Sequence, residues 1–226
     1  MNHTILITGA NGALGSELVE YFSAKNYQVI AVVRPGHNSE SRKGIIYLEA
    51  EISEEASVQK LMQEIKSRNL KIKAGLLVAG GFGMGKFLET AKGDLQGMLE
   101  KNFFSAFFLA KHLLTHMKKS DQHGKIIFIG AKPALEKGGE ATTAYTLAKT
   151  LLVKMVEIIN QAAEESNVQA ALLAPSIIDT AGNRQAMPKA DFSQWVKPAE
   201  IAQVMEQVIL DQGVRRDIII KAYKGS

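Results

Sequence analysis

Tyr145 and Lys149 stand four residues apart in the run Tyr145-Thr146-Leu147-Ala148-Lys149. On a helix that spacing puts both side chains on one face, with Cβ atoms about 5–6 Å apart. A free phenol titrates at about 10, too high for easy proton exchange at neutral pH. An ammonium one turn away favours the phenolate and is expected to lower that value. Tyr145 is then a general acid, able to protonate a substrate atom. Lys149 has donors left over for ribose hydroxyls. The same spacing arises by accident on many helices, as an exposed pair worth about a few tenths of a kcal/mol.

Far upstream, the run Thr8-Gly9-Ala10-Asn11-Gly12-Ala13-Leu14-Gly15 closes the first apolar stretch and argues against accident. Gly9 allows a tight turn, Gly12 lets backbone approach phosphate, and Gly15 lets helix and strand pack closely. With Asn11, Ala13 and Leu14 they would seat a pyrophosphate on free amides at a helix N-terminus. The plainer alternative is a strand-to-helix turn that needs glycine only for steric room. A dinucleotide turn and a helical Tyr/Lys pair together describe hydride transfer, accompanied by a proton, to a small-molecule substrate.

The second apolar run ends Val32-Val33-Arg34-Pro35, and no acid follows until Glu40. An acid near this point usually accepts from the ribose 2′-hydroxyl of NAD. Arg34, with Ser39, Arg42 or Lys43, is instead suited to a 2′-phosphate through charge-assisted hydrogen bonds. NADP(H) is therefore the expected cofactor and NAD(H) the alternative; the competing explanation for Arg34 is a solvated surface cation. Glu51 and Ile52 would lie beside the adenine.

These residues must be held by an alternating chain. Strands are expected near 3–8, 27–33, 45–49, 74–79, 124–130, 168–174 and 217–222, and helices near 13–25, 54–69, 92–118, 141–165 and 198–211. The strand runs are near-continuous in Val, Ile, Leu and Ala, as when both sheet faces are buried. The expected fold is α/β: a single-domain, Rossmann-type, doubly wound parallel sheet of about seven strands over residues 1–226, helices on both faces. Ligands bind such sheets at the carboxyl ends of the strands, where the strand order reverses. Two segments, 34–44 and 175–197, are long enough to carry function.

Composition narrows the classes. With 226 residues, 46% hydrophobic and 22% charged, the chain reads as one soluble globular domain. The apolar runs fall well short of the roughly 20 residues a membrane span needs, so no membrane is expected as partner. There is no cysteine, which excludes disulfides and thiolate chemistry and is consistent with a reducing, cytoplasmic setting. A net charge of +4 from scattered basic residues makes a nucleic-acid surface a poor expectation. His112 and His116 share a helix face, with His123 nearby, but no third ligand stands at metal spacing. They read as structural histidines, and no metal is expected.

Over its whole length the chain resembles the short-chain dehydrogenase/reductase family. The resemblance implies that Asn102, in the central helix, organises a proton-relay water. It also implies that Ala79-Gly80-Gly81 forms the nicotinamide-side turn. Pro175-Ser176-Ile177-Ile178-Asp179-Thr180 resembles the Pro-Gly-x-x-x-Thr segment, implying cofactor contacts from Pro175, Ile178 and Thr180. One position departs from the family. The usual catalytic serine, about thirteen residues before Tyr145, falls at Ala131-Lys132, and Thr142 or Thr143 would have to replace it.

Within the family the chain is most similar to the quinonoid dihydropteridine reductases, which also lack that serine. The similarity is carried by Gly12-Ala13-Leu14-Gly15-Ser16, Val78-Ala79-Gly80-Gly81, Gly130-Ala131-Lys132, Ala134-Leu135, and the stretch from Asp179-Thr180 through Asn183-Arg184, Met187-Pro188 and Ala190-Asp191-Phe192 to Trp195. It implies hydride transfer to a flat, electrophilic quinonoid ring, Tyr145 supplying the proton and Ala131 lining the substrate pocket. Those reductases carry an acid near the end of the second strand, where this chain has Arg34. Their tryptophan after Ala-Gly-Gly is matched by Phe82, either a smaller stacking surface or a loop anchor. Trp195 is either a lid over the substrate or an anchor for the 175–197 segment, whose prolines and small residues suit closure over ligand. Phe103/Phe107 and Phe104/Phe108 make two stripes: one packs on the sheet, and the second either widens the core or meets the central helix of another subunit, as the family implies. A homodimer is expected. The alternatives are a carbonyl or quinone reductase of the same family and a non-catalytic NADP(H)-sensing protein.

Overall fold

The apolar runs pair into one parallel sheet. The computed structural model describes residues 3–37, 40–119, 123–211 and 219–224. Its strands are β1 (Thr4–Thr8), β2 (Gln28–Val33), β3 (Ile45–Glu49), β4 (Ile72–Leu77), β5 (Gly124–Ile129), β6 (Val168–Pro175) and β7 (Ile219–Ala222). They lie in the order β3-β2-β1-β4-β5-β6-β7. The order reverses between β1 and β4, so a crevice opens where those two strands end.

Both faces are covered, which is why the strands are apolar at successive positions. On one face α1 (Ala13–Ala24) and α7 (Pro198–Leu210) enclose Ile5, Ile7, Val29, Ala74, Ile127 and Leu173. On the other, α2 (Glu55–Ser67), α4 (Ser105–Met117) and α5 (Thr143–Ala162) enclose Leu6, Ile30, Leu76's neighbour Leu77, Ile126, Phe128 and Leu172. In α2 the buried residues are Val58, Leu61, Met62 and Ile65, spaced as one stripe of a 3.6-residue helix. Fully burying each such side chain stabilises the fold by about 1.5–3 kcal/mol.

The structure departs from the sequence expectations in three places. Strand β4 ends at Leu77, two residues before the expected Ala79, because the Ala79 amide donates to Thr8 Oγ1 (3.0 Å) and leaves the ladder. The expected helix 92–118 is interrupted: α3 (Lys92–Leu99) passes through a π-helical turn, Glu100–Phe104, into α4. The segment after β6 holds a short helix, α6 (Ala181–Ala186). Residues 217 and 218 of the expected last strand lie outside the described residues.

The π turn also redistributes the phenylalanines. Phe103 and Phe108 pack against the core, while Phe104 and Phe107 face outward. One member of each expected stripe is thus buried, since a wider turn shifts the helical phase by part of a residue. Among the described residues no helix is long and apolar enough to cross a membrane. Nor is any group of three or more His, Cys, Asp or Glu among them placed to hold a metal ion.

Candidate active site

The crevice is built first from backbone. Gly9 ends β1 with φ of +61°, a left-handed conformation that only glycine adopts freely. Its carbonyl accepts from the Gly12 amide at 2.8 Å, closing the turn. A Cβ on Gly15 would stand 2.0 Å from the Gly9 oxygen, so α1 reaches β1 only with glycine there. The first amides of α1 have no carbonyl a turn below them and point into the crevice. Gly9, Asn11, Gly12, Ala13, Leu14 and Gly15 share one cavity of about 630 Å³ with Arg34, Glu51, Ile52, Ala79, Gly80 and Gly81. That volume lies in the range of small-molecule sites. A glycine-lined cradle with free amides and a cation on its rim fits a dinucleotide.

At its outer end Arg34 is exposed; its carbonyl accepts from the His37 amide at 3.3 Å, while its guanidinium bonds to no described residue. Arg42, expected beside it, is taken by an ion pair with Glu20; Lys43 is exposed, and Ser39 lies outside the described residues. Two neighbours were missed in the sequence. His37 Nδ1 stands 3.2 Å from Asn11 Nδ2, linking this loop to the glycine turn. Glu49, far along the chain but opposite Val33 in the β2–β3 register, accepts from the Gly36 amide at 3.0 Å. A count along β2 alone cannot find a carboxylate delivered by the next strand. Glu51 accepts from Ser53 Oγ at 2.6 Å, while the buried Ile52 presents the apolar surface.

Further along, side chains take over. Asn102 sits in the π turn, 1% exposed. Its Nδ2 donates to the carbonyls of Gly81 (3.0 Å) and Met98 (3.1 Å), and its Oδ1 accepts from the Gly81 amide (3.2 Å). Both amide protons are committed, and the side chain clamps the Gly80–Gly81 turn. A Cβ on Gly80 would meet Asn102 Oδ1 at 2.6 Å and Lys149 Nζ at 3.4 Å. Gly80 thus marks the point where the turn, the clamp and the lysine meet. Glu100, Lys101 and Ser105 line the cavity beside the clamp, one turn either side of Asn102.

Helix α5 carries Lys149 inward, where it is 4% exposed and Nζ donates to the Ile129 carbonyl at 2.8 Å. Burial pushes this ammonium down to about 8. Burial likewise pushes the Tyr145 phenol up to about 12. That overturns the expected lowering by Lys149. The ammonium lies 5.9 Å from the centre of the phenol ring, too far to offset the loss of water around the hydroxyl. Tyr145 therefore stays protonated at neutral pH.

On the substrate side Phe82 stands edge-on to Tyr145, ring centres 5.1 Å apart, and is 65% exposed. A loop anchor would be buried, so its surface is open to stacking. Ala131 is buried at the end of β5. Thr142 Oγ1 pairs with Thr146 Oγ1 at 3.1 Å, and the Thr143 amide is held by the Gly85 carbonyl. Pro175 closes β6, Ile178 bridges Val196, and Thr180 Oγ1 caps α6 by accepting from the Asn183 amide; none of the three lines the 630 Å³ cavity. Trp195 is 4% exposed and packs on Phe192, centres 4.8 Å apart. Of its two expected roles burial supports the anchor, and no indole face is offered to a substrate.

Known proteins resemble this chain in sequence and in fold. A dihydropteridine reductase from Dictyostelium discoideum is 29% identical over 90% of this chain and 86% of its own. The structure described as ElxO with NADP bound superposes with a TM-score of 0.88 at 17% identity, covering 99% of this chain and 97% of that one. A 4-hydroxyisoleucine dehydrogenase complexed with NADH superposes at 0.85 and 20% identity, covering 99% and 98%. At such identities the superpositions speak for the fold alone. The family model for short chain dehydrogenases matches residues 3–191, and the chain belongs to that family.

Proposed function

We propose that this chain is an NADPH-preferring reductase that delivers hydride to a quinonoid dihydropteridine, with NADH as the weaker cofactor. The observation that carries the reading is the meeting of Tyr145, Lys149 and Asn102 at the Gly80–Gly81 turn, on the edge of a nucleotide-sized cleft. The similarity to the Dictyostelium dihydropteridine reductase supports the substrate. So does Ala131, since a ring already strongly electrophilic needs no hydroxyl to polarise it. The Arg34 guanidinium, without a described partner, supports a 2′-phosphate, while Glu49 is occupied by the Gly36 amide.

Bound NADPH would supply the hydride. The glycine turn and the first amides of α1 would hold its pyrophosphate, and the Asn102 clamp would keep the Gly80–Gly81 turn flat against the nicotinamide side. Tyr145 gives up the proton that accompanies the hydride, and burial keeps that proton in place until then. The tyrosinate left behind is steadied by the Lys149 ammonium one turn away. Phe82 offers a face to the flat ring.

We further propose a homodimer through the central helices. Phe104 at the end of the π turn and Phe107 on α4, with Leu147, Leu151 and Ile158 on α5, expose an apolar stripe that a second copy would cover. Leu151→Lys, measured by light scattering, is expected to leave a monomer.

The test of function is NADPH oxidation with quinonoid dihydrobiopterin beside simple quinones and ketones. Preferred turnover of the pterin is expected. Preference for a quinone or ketone would make this a carbonyl or quinone reductase, and NADPH binding without turnover of any of them would leave a sensor.

A further inference from the structure

The segment that follows β6 is tied to itself. At its base Ile178 bridges Val196: the Asp179 amide donates to the Val196 carbonyl (2.8 Å) and the Val196 amide to the Ile177 carbonyl (2.9 Å). Inside that base Arg184 grips Asp179 with both arms of its fork, Nε to Oδ1 at 2.6 Å and a terminal nitrogen to Oδ2 at 2.8 Å. The guanidinium carbon lies 4.7 Å from the centre of the Phe192 ring. Phe192 in turn packs on the buried Trp195. Asn183 Nδ2 donates to the Ile178 carbonyl at 2.8 Å, and Asp191 Oδ1 accepts from the Ser193 amide at 3.0 Å.

A lone surface ion pair would count for little. This one is two-pronged, and its carboxylate side chain is only 10% exposed. Its cation is also stacked, an arrangement lysine cannot reproduce. A loop with joined ends and its own packed side chains is a compact unit rather than a tether.

We infer that Asp179, Arg184, Phe192 and Trp195 form a strap that fixes the 176–197 segment in its working shape before substrate arrives, and that Arg184 is a positioning residue for substrate. A segment already ordered spends none of the binding energy on being arranged, so the strap acts on substrate affinity and leaves the proton and hydride steps alone. The substrate half of the inference rests on the reductase reading above, and the loop half does not.

The test pairs amide hydrogen exchange over residues 180–194 in the cofactor-free full chain with steady-state kinetics on quinonoid dihydrobiopterin. In the wild type the segment should be protected without ligand. Arg184→Met should raise its exchange about tenfold and KM about tenfold, with kcat within about twofold. Arg184→Lys should resemble Arg184→Met, since charge alone does not rebuild fork and stack. Phe192→Leu, which keeps the Asp179 pair, should shift both readouts the same way by less. Wild-type exchange as fast as free chain, or an Arg184→Met variant unchanged in exchange, would overturn the strap. A fall in kcat that matches the rise in KM would overturn the positioning role. If the wild type turned over no dihydropterin, the proposed substrate would fall, while exchange in Arg184→Met would still decide the strap.

Discussion

The cleft along β1 and β4 and the segment beyond β6 hold their shapes by opposite means. In the cleft the constraint is backbone against backbone: Gly9 in a left-handed turn, and Gly15 so close to the Gly9 carbonyl that no side chain fits. Beyond β6 the constraint passes from side chain to side chain, Asp179 to Arg184 to Phe192 to Trp195. The first kind of site takes whatever shares the common part of a dinucleotide. The second can be rewritten residue by residue, which suits the part of the molecule that must tell one substrate from another. Between them stands the proposed catalytic cluster, built from side chains but seated on the backbone turn at Gly80.

Five experiments break or sharpen that contrast. The largest effect is expected at the junction: Tyr145→Phe should lower kcat about a hundredfold or more while NADPH affinity stays nearly unchanged, since only the proton donor is lost. Wild-type turnover in that variant would remove Tyr145 from the chemistry. Next comes Gly15→Ala. Forcing a methyl into that contact should cost about 1–3 kcal/mol, read as a lower melting temperature and NADPH binding weakened by up to about a hundredfold. An unchanged Kd would mean that the cleft tolerates more than its geometry allows.

Arg34→Ala should weaken NADPH about tenfold to thirtyfold and leave NADH within about twofold, the loss of one charge-assisted contact. Equal weakening of both would dismiss the 2′-phosphate. The pH profile should follow burial. Lys149, pushed down to about 8, loses its proton as pH rises through that value, whereas the phenol, pushed up to about 12, keeps its own. kcat should therefore fall about tenfold between pH 7 and 9. A profile flat to pH 10 would mean the ammonium does not steady the tyrosinate. The smallest effect is expected from Ala131→Ser, which restores the usual hydroxyl: under about threefold for a dihydropterin, with a gain on simple ketones. A large gain on the pterin would contradict the account of the absent serine.

What the sequence made legible follows the same division. The seven strands and the glycine turn could be read because a buried parallel strand must be apolar throughout and a turn against it must lack side chains. The residues from Gly9 to Gly81 that line the cleft were found for that reason. Glu49 and His37 were not, because they reach the cleft from a neighbouring strand and a folded-back loop that share no spacing with it. Tyr145 and Lys149 were paired correctly by their spacing, yet the direction of the phenol's shift was misjudged, since spacing reports a neighbour and not how much water is excluded. Asn102 was identified, but its role as a clamp depends on where the Gly81 backbone comes to rest. The ring pairs Phe103–Phe107 and Phe104–Phe108 form as their spacing suggests, but which member of each faces outward was not legible, because an extra residue in a helical turn leaves no mark in an apolar pattern.

That extra residue has an evolutionary reading. A uniform helix is a rigid rod: twisting its outer end to suit a new neighbour would rotate Asn102 away from Gly81. The wide turn at Glu100–Phe104 sets the buried Asn102 and the outward Phe104 within one five-residue stretch. Under the proposed function, a change at the exposed Phe104 would therefore be felt at the Asn102 clamp two residues away.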